Sequence, residues 1–314
     1  METFLGIDLG GTKLLIGEVD AEGHILREKR YPSTFRDQRD AKDYIFRAID
    51  DYLVTVANPL CKPMAMGLGL VGRVDTERGI WEQIDPSRTF PIEMARELTE
   101  RYRLPAYIDN DVKSATRAEL HWGVGRFSRN FVFINVGTGI AACSVVNGQL
   151  IRGSHFNAGE VGHTTVGVNM GTTCACGRKN CVETIAAGCG FDICARLLRE
   201  RYETRLTIPE DGKRVSVKEV YELSLQGDAL CEMLVKNAAE ALASLIMNLV
   251  RVTDPDTVVL GGSVVADGYL LEQMRPFLQA ETMRFVTNGV QLTKLEPHHI
   301  GLLGAAVVAM NGKI

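Results

Sequence analysis

No long basic run occurs in this sequence, and its formal net charge is −4. That balance gives no footing for non-specific nucleic-acid binding, which needs concentrated positive charge. No uninterrupted apolar stretch reaches the roughly 18 residues that a bilayer-spanning segment requires. The N-terminal Met1-Glu2-Thr3-Phe4-Leu5 lacks the basic start and apolar core of a secretory signal and leads straight into a strand-like run. Low-complexity linkers are missing too. The expectation is a cytoplasmic protein with no membrane and no nucleic-acid partner.

What is there is ordinary in bulk. A hydrophobic fraction of 46% and a charged fraction of 24% are those of a globular chain. Its 314 residues are enough for two domains, each with its own core.

The cysteines are not evenly spread. Cys174, Cys176 and Cys181 fall within eight residues of one another, and His163 precedes them. The spacing H-x10-C-x-C-x4-C supplies one imidazole and three thiolates, a full tetrahedral set for zinc. Two acids, Glu160 and Glu183, bracket the set. The alternative is a group of reduced, buried cysteines, since free Cys behaves as a small apolar residue. Cys61, Cys143, Cys189, Cys194 and Cys231 lie in apolar surroundings and read as core or helix-face residues. Disulfides are not expected, because nothing points to an oxidising compartment.

The pattern of elements is α/β. Strands are predicted at Phe4 to Ile7, Leu14 to Val19 and His24 to Lys29, as a hairpin meander. Ala41 to Ala57 has helical spacing at Ile45, Ile49, Leu53 and Val56. Met64 to Val71 reads as a strand broken by Gly72, Pro91 to Tyr102 as a helix, and Ala106 to Ile108 as a short strand. Asp109-Asn110-Asp111 then offers N-cap chemistry for a helix over Val112 to Trp122. Strands follow at Asn130 to Val136 and Ile140 to Val146, and Asn147-Gly148 is a hairpin signal. Later come a long helix over Ala229 to Val252, a strand at Thr257 to Leu260 and a small-residue helix over Gly301 to Met310. Strand, Gly-Thr turn and strand occur in both halves, a weak internal repeat of two related domains with a hinge near Gly123 to Gly125.

Three glycine turns end apolar strands: Gly10-Gly11-Thr12-Lys13, Gly137-Thr138-Gly139 and Gly261-Gly262. The first fits neither the P-loop nor the dinucleotide fingerprint. By itself it is equally a plain hairpin. Together, the first two turns bring backbone N–H groups and Thr hydroxyls to phosphate oxygens, and Gly261-Gly262 leaves flat room for an adenine ring. Asp8, beside the first turn, is placed to hold Mg²⁺ through water. Asp111 is open to two readings, a helix-terminal acid or the general base of phosphoryl transfer. Asn110 offers the donor and acceptor that sugar hydroxyls use.

These motifs resemble the ROK family (repressor, open reading frame, kinase). The resemblance runs through Asp8 to Lys13, Asn110-Asp111, Gly137-Thr138-Gly139, Gly159-Glu160-x-Gly162-His163, Cys174-x-Cys176-Gly177, Cys181-x-Glu183 and Gly261-Gly262. It implies an actin-like ATPase (ribonuclease H-like) fold of two α/β domains with an interdomain cleft. The expected N-terminal domain is 1–122, with the C-terminal helix 301–314 packing back on it. The expected C-terminal domain is 123–300 and carries the zinc loop. The resemblance also implies ATP-dependent phosphorylation of a hexose or N-acetylhexosamine, usually at the 6-hydroxyl, and a homodimer. Asp111 is then the base, and Gly72, Asn110, Glu160, His163 and Glu183 join it in binding sugar. Asp8, Gly10, Gly11, Thr12, Lys13, Gly137, Thr138, Gly139, Gly261 and Gly262 serve ATP. A structural Zn²⁺ is held by His163, Cys174, Cys176 and Cys181, one His163 nitrogen on the metal and the other toward a sugar hydroxyl.

The sequence departs from that family in places. Val71-Gly72-Arg73 lacks a Pro common before the glycine, and Asp85-Pro86-Ser87-Arg88 replaces an Asn and Trp region that touches sugar. Asn180 stands where Gly is common and is expected to tolerate the left-handed conformation. Lys113 replaces an uncharged residue; it reads either as solvated or as a contact to an anionic group. The family's DNA-binding members resemble winged helix-turn-helix proteins with a segment ahead of the first glycine turn; with Asp8 eight residues into this sequence, direct DNA binding is not expected. The second functional reading is a non-catalytic sugar-sensing regulator of the same family.

Overall fold

The computed structural model describes residues 2–11, 13–33, 35–57, 62–85 and 87–312. Thr12, Cys61 and Pro86 lie outside the described residues. The chain divides into two compact units. Unit 1 is 1–127 with 152–158 and 298–314, and unit 2 is 128–151 with 159–297. The division falls after Phe127, past the expected 122/123 boundary, and unit 1 reclaims seven residues, 152–158, from the middle of the chain.

Unit 1 is built on β1 (Thr3–Leu9), β2 (Lys13–Asp20), β3 (Ile25–Pro32), α1 (Gln38–Thr55), β4 (Met66–Leu70), β5 (Arg73–Asp75), β6 (Ile80–Gln83), α2 (Met94–Tyr102), β7 (Ala106–Asn110) and α3 (Asp111–His121). Its sheet has the order β3-β2-β1-β4-β7. The first three strands are an antiparallel meander, and β4 and β7 add to β1 in parallel. Leu5, Ile7 and Leu9 alternate with residues of the opposite face, yet every residue of β1 is buried. Both faces of the strand are therefore covered, as parallel sheet neighbours require.

Unit 2 contains β8 (Phe131–Val136), β9 (Ile140–Val146), β10 (Gln149–Leu150), α4 (Glu183–Ala186), α5 (Gly188–Leu198), α6 (Val217–Ser224), α7 (Ala229–Thr253), β11 (Thr257–Gly261), α8 (Tyr269–Met274), α9 (Ala280–Met283) and β12 (Val290–Leu292). Its sheet order is β10-β9-β8-β11-β12. Strand for strand this repeats unit 1, with an antiparallel meander followed by two parallel additions. The internal repeat legible in the Gly-Thr turns is thus a repeat of whole sheets. Asn147 and Gly148 both have positive φ, 53° and 79°, the backbone that a two-residue hairpin between β9 and β10 demands.

The last helix, α10 (Ile300–Asn311), returns to unit 1 and packs on β1, β4 and α3. At Gly67 in β4 the helix backbone comes so close that a Cβ would overlap Ala305 O. Small residues on α10 and a glycine in the strand make that approach possible.

Two expectations need correction. The helix predicted from Pro91 begins at Met94, because Ile92 exchanges both backbone bonds with Trp81, at 2.9 and 3.0 Å. Helix α7 meets the length and composition of a membrane-crossing helix, which the sequence was not expected to contain. Its polar residues are gathered on one side, while Leu230, Leu234, Ala238, Leu242 and Ile246 are buried in the core of unit 2. Fifty-six per cent of its most apolar window is buried within the protein.

Candidate active site and metal centre

The turn from β7 into α3 concentrates polar groups. Asn110 is the N-cap of α3, and its side-chain oxygen accepts from Val112 N and Lys113 N, both at 3.1 Å. Its Nδ2 donates to Gly72 O at 3.0 Å and to Asp111 Oδ1 at 2.8 Å. All four hydrogen-bonding positions of the amide are therefore occupied within the protein. Asp111 Oδ1 also accepts from Val112 N at 2.9 Å, which fixes the plane of the carboxylate. Gly72 has φ of 90°, and a Cβ there would overlap Gln83 O. Only glycine lets this carbonyl point at Asn110.

Asp109, directly before them, is fully buried. Burial raises the energy of its charged form. Arg152 outweighs this with two parallel bonds of 2.9 and 2.7 Å, joined by Arg117 Nε at 2.9 Å, and the carboxyl is held below the ordinary range. Lys113 is not a solvated lysine, as one reading of the sequence had it. It is 5% exposed, and its Nζ donates to Phe156 O at 2.8 Å. A cation in the first turn of a helix works against the macrodipole by about 0.3–1 kcal/mol, and the carbonyl partner offsets this. The departure at Asp85 to Arg88 forms an exposed turn in which Asp85 Oδ1 accepts from Ser87 N and Oγ, each at 2.8 Å.

At the β1–β2 corner of unit 1, Asp8 lies beside the N-terminus of α10, where a Cβ on Gly301 would overlap the carboxylate. Burial raises its pKa to about 6, against the opposing pull of Lys13. Lys13 Nζ donates to His298 O at 2.9 Å, and its backbone carbonyl accepts from Gly10 N at 3.0 Å. Gly11 faces open space, with nothing within 4 Å of where a Cβ would stand. Thr12, expected to add a hydroxyl to this turn, is among the residues not described.

In unit 2 the equivalent corner is Gly137-Thr138-Gly139, closed by Gly137 N donating to Gly139 O at 3.0 Å. Two groups brace it. Glu183 Oε2 accepts from Ile140 N at 2.9 Å, and the first amides of α5 donate to it, Gly188 N to Gly137 O at 2.8 Å and Cys189 N to Thr138 O at 3.1 Å. Gly261 ends β11, and Gly262, at φ of 95°, packs against the backbone of Val136.

His163 and the three cysteines converge. Their ligand atoms lie within 4.8 Å of one another. His163 Nδ1 is 3.3 Å from Cys174 Sγ, and Cys176 Sγ is 3.6 Å from Cys181 Sγ. Zinc–sulfur bonds of about 2.3 Å imply sulfur–sulfur edges of about 3.8 Å, so the cage has the right size for zinc. Burial pushes the Cys181 thiol up to about 12 and also raises that of Cys174, while the backbone N–H of Arg178 lowers that of Cys176. Asn180 has φ of 54°, and its Oδ1 accepts from Met170 N and Thr172 N, so the loop keeps its shape with Asn in place of Gly. The other ring nitrogen of His163, Nε2, is 3.9 Å from Glu160 Oε2. The imidazole thus faces the sulfurs with one nitrogen and Glu160 with the other. Among the remaining described cysteines, Cys143, Cys194 and Cys231 are buried and Cys189 half-buried, and none of them belongs to this group.

The family model for ROK matches residues 4–311. The chain belongs to the ROK family. Within ROK it is 31% identical to the N-acetylmannosamine kinase of Salmonella heidelberg, over 98% of each chain. It is 29% identical to the glucokinase of Halalkalibacterium halodurans, over 92% of this chain and 88% of that one. It is 23% identical to the N-acetylglucosamine repressor of Escherichia coli O157:H7, over 96% of this chain and 73% of the repressor. Among solved structures, the ROK glucokinase of Streptomyces griseus in complex with glucose and AMPPNP matches with a TM-score of 0.78 at 25% identity, over 99% of this chain and 100% of that one. The doubled meander-plus-parallel sheet is the actin-like ATPase fold that ROK kinases share.

Three parts of this ROK chain were missed in the sequence. The pair of Asp109 with Arg152 and the bond from Lys113 to Phe156 each span 43 positions and leave no local signature. Helix α5, which braces the second glycine turn, opens on Gly188-Cys189-Gly190 and has no N-cap side chain.

Proposed function

We propose that this chain transfers the γ-phosphoryl group of ATP to the 6-hydroxyl of a hexose or N-acetylhexosamine, with Asp111 as general base. The observation that carries the reading is the carboxylate of Asp111, locked by Asn110 Nδ2 and Val112 N at the start of a helix. A base held in one orientation needs no rearrangement when it accepts a hydroxyl proton. The chain is a sugar kinase by its relatives as well, two of which carry kinase names.

In this reading Gly72, Asn110, Glu160, His163 and Glu183 hold the sugar hydroxyls. Asn110 gives up one of its internal bonds when it contacts the sugar. The turns Gly10-Gly11-Thr12-Lys13 and Gly137-Thr138-Gly139 present backbone donors to the phosphates, and Gly261-Gly262 makes room for adenine. Asp8 holds the water shell of Mg²⁺, which neutralises charge on the phosphates. His163, Cys174, Cys176 and Cys181 hold a structural Zn²⁺, which fixes the tautomer and direction of the His163 ring. The cytoplasmic location and the homodimer belong to the same proposal, and light scattering reads the latter.

A sugar-sensing regulator is the second reading, favoured by the similarity to the N-acetylglucosamine repressor. ADP release from MgATP across a panel of hexoses and N-acetylhexosamines separates the two. Turnover with one sugar that disappears in Asp111→Asn supports the kinase. Tight sugar binding without turnover on any of them supports the sensor.

A further inference from the structure

We infer that Lys113 is a positioning residue of the sugar site, acting through the main chain of Phe156. The inference rests on the kinase reading of Asn110 and Asp111. Residues 152–158 form a strap that leaves unit 2 after Ile151 and joins unit 1. The strap is tied down on both flanks of the Asn110-Asp111 pair. At its start, Arg152 grips Asp109, the residue before Asn110. At its middle, Phe156 O receives Lys113 Nζ, from two residues beyond Asp111, at 2.8 Å.

Phe156 has φ of 58°. A bulky side chain in the left-handed region is strained, and such strain persists only where the surroundings over-determine it. The strap's own backbone bonds run from Ala158 N to Arg152 O at 3.1 Å and, at a long 3.4 Å, from Phe156 N to Gly153 O. Lys113 carries an opposite anomaly, an amine 5% exposed in the first turn of a helix. Neither feature is favourable alone, and the 2.8 Å bond joins the two. The chain then leaves the strap at Ala158 and reaches Glu160 two residues later. The latch therefore governs the pose of the α3 first turn and the lead into a proposed sugar ligand. The strap's bonds end on Asp109 and Lys113, on either side of the Asn110-Asp111 pair, so the effect is expected to fall on sugar and not on nucleotide.

The test is a two-by-two cycle in the full chain, with Lys113→Met and Phe156→Gly singly and together. Glycine adopts the left-handed backbone without strain, so the lysine has less to hold in that background. Lys113→Met is expected to raise the sugar KM about tenfold, the loss of one buried hydrogen bond, with the MgATP KM unchanged. Amide hydrogen exchange across 153–158 is expected to quicken. In the Phe156→Gly background the same change is expected to cost less than about threefold. An unchanged sugar KM with unchanged exchange overturns the latch, as does an equal loss in both backgrounds. Should Lys113→Met fail to fold, folding of the double variant supports the latch and failure of both overturns it. Asp111→Asn is run alongside. If it turns over normally, the kinase reading fails, and the latch is then judged on exchange and on sugar calorimetry, which need no turnover.

Discussion

Glu183 Oε2 accepts a hydrogen bond from Ile140 N at 2.9 Å, so the acid two residues after Cys181 is bonded to the strand that leaves the second glycine turn. One side chain thereby links the proposed sugar wall with the proposed phosphate turn. Glu183→Gln keeps an oxygen for Ile140 N and is expected to raise the sugar KM alone. Glu183→Ala leaves that buried amide without its partner, and is expected to raise both sugar and MgATP KM, with a stability loss of about 1–3 kcal/mol. Steady-state kinetics with each substrate varied in turn tells the two variants apart.

Asp111→Asn retains the shape of the turn, since the amide oxygen can still accept from Asn110 and Val112. Sugar affinity is expected to stay close to that of the parent while turnover falls by about 10²–10⁴. Calorimetric sugar titration with single-turnover kinetics checks it, and an active variant would remove the base assignment.

Asp8 has a pKa raised to about 6, above its ordinary value of 3.8, because it is buried. Ionising it therefore costs stability as pH rises from about 4 to about 6, and full stability is present only below that window. Function runs the other way, since only the anion can hold a cation's water shell. Phosphorylation is expected to decline as pH falls through about 6, through a rising KM for MgATP. Asp8→Asn is expected to be more stable at pH 7.5, on the order of 1–3 kcal/mol, and much less active. Thermal denaturation of the two proteins at pH 4 and pH 7.5 reads the sign directly.

Zinc removal is expected to abolish sugar binding together with the order of residues 163–181. Chelator titration followed by calorimetry and metal analysis measures it, and metal uptake by these thiols should release protons. Undiminished sugar affinity in a folded, metal-free protein would overturn the link between His163's two nitrogens.

Asp109 is kept ionised by Arg152 and Arg117, so its contribution to stability is present at neutral pH and is lost only as pH falls below the ordinary carboxylate range. Asp109→Asn removes the buried negative charge that the Arg152 and Arg117 guanidinium groups face and puts an NH₂ donor against one of them. Unit 1 is expected to lose about 3–5 kcal/mol, visible as a lower denaturant midpoint.

Much of the candidate site was legible because its signals are local. Asn110 caps a helix, the Asn147-Gly148 hairpin forms, and Cys174, Cys176, Cys181 and His163 converge within one loop. Each depends on residues only a few positions apart, with His163 the most distant. What stayed hidden depends on partners far along the chain. The burial of Lys113 is set by a carbonyl 43 residues away, and the fully committed amide of Asn110 by Gly72 O, 38 residues earlier. Hairpin β5–β6 stayed unread because three- and four-residue strands carry too little periodicity to register. Helix α7 was legible as a helix, but its fitness as a membrane span was not, since burial on one face depends on what the rest of unit 2 stacks against it.

The chain passes between the units four times, after Phe127, Ile151, Ala158 and Pro297. Unit 1 thus holds both β1 and α10, which lie nearly 300 residues apart along the chain. Until α10 emerges, the faces of β1 and β4 that it covers are bare, while every residue of unit 2 has been made by Pro297. A nascent chain stalled near residue 297 therefore carries all of unit 2 within a unit 1 whose sheet still exposes the apolar faces that α10 covers, a state open to aggregation.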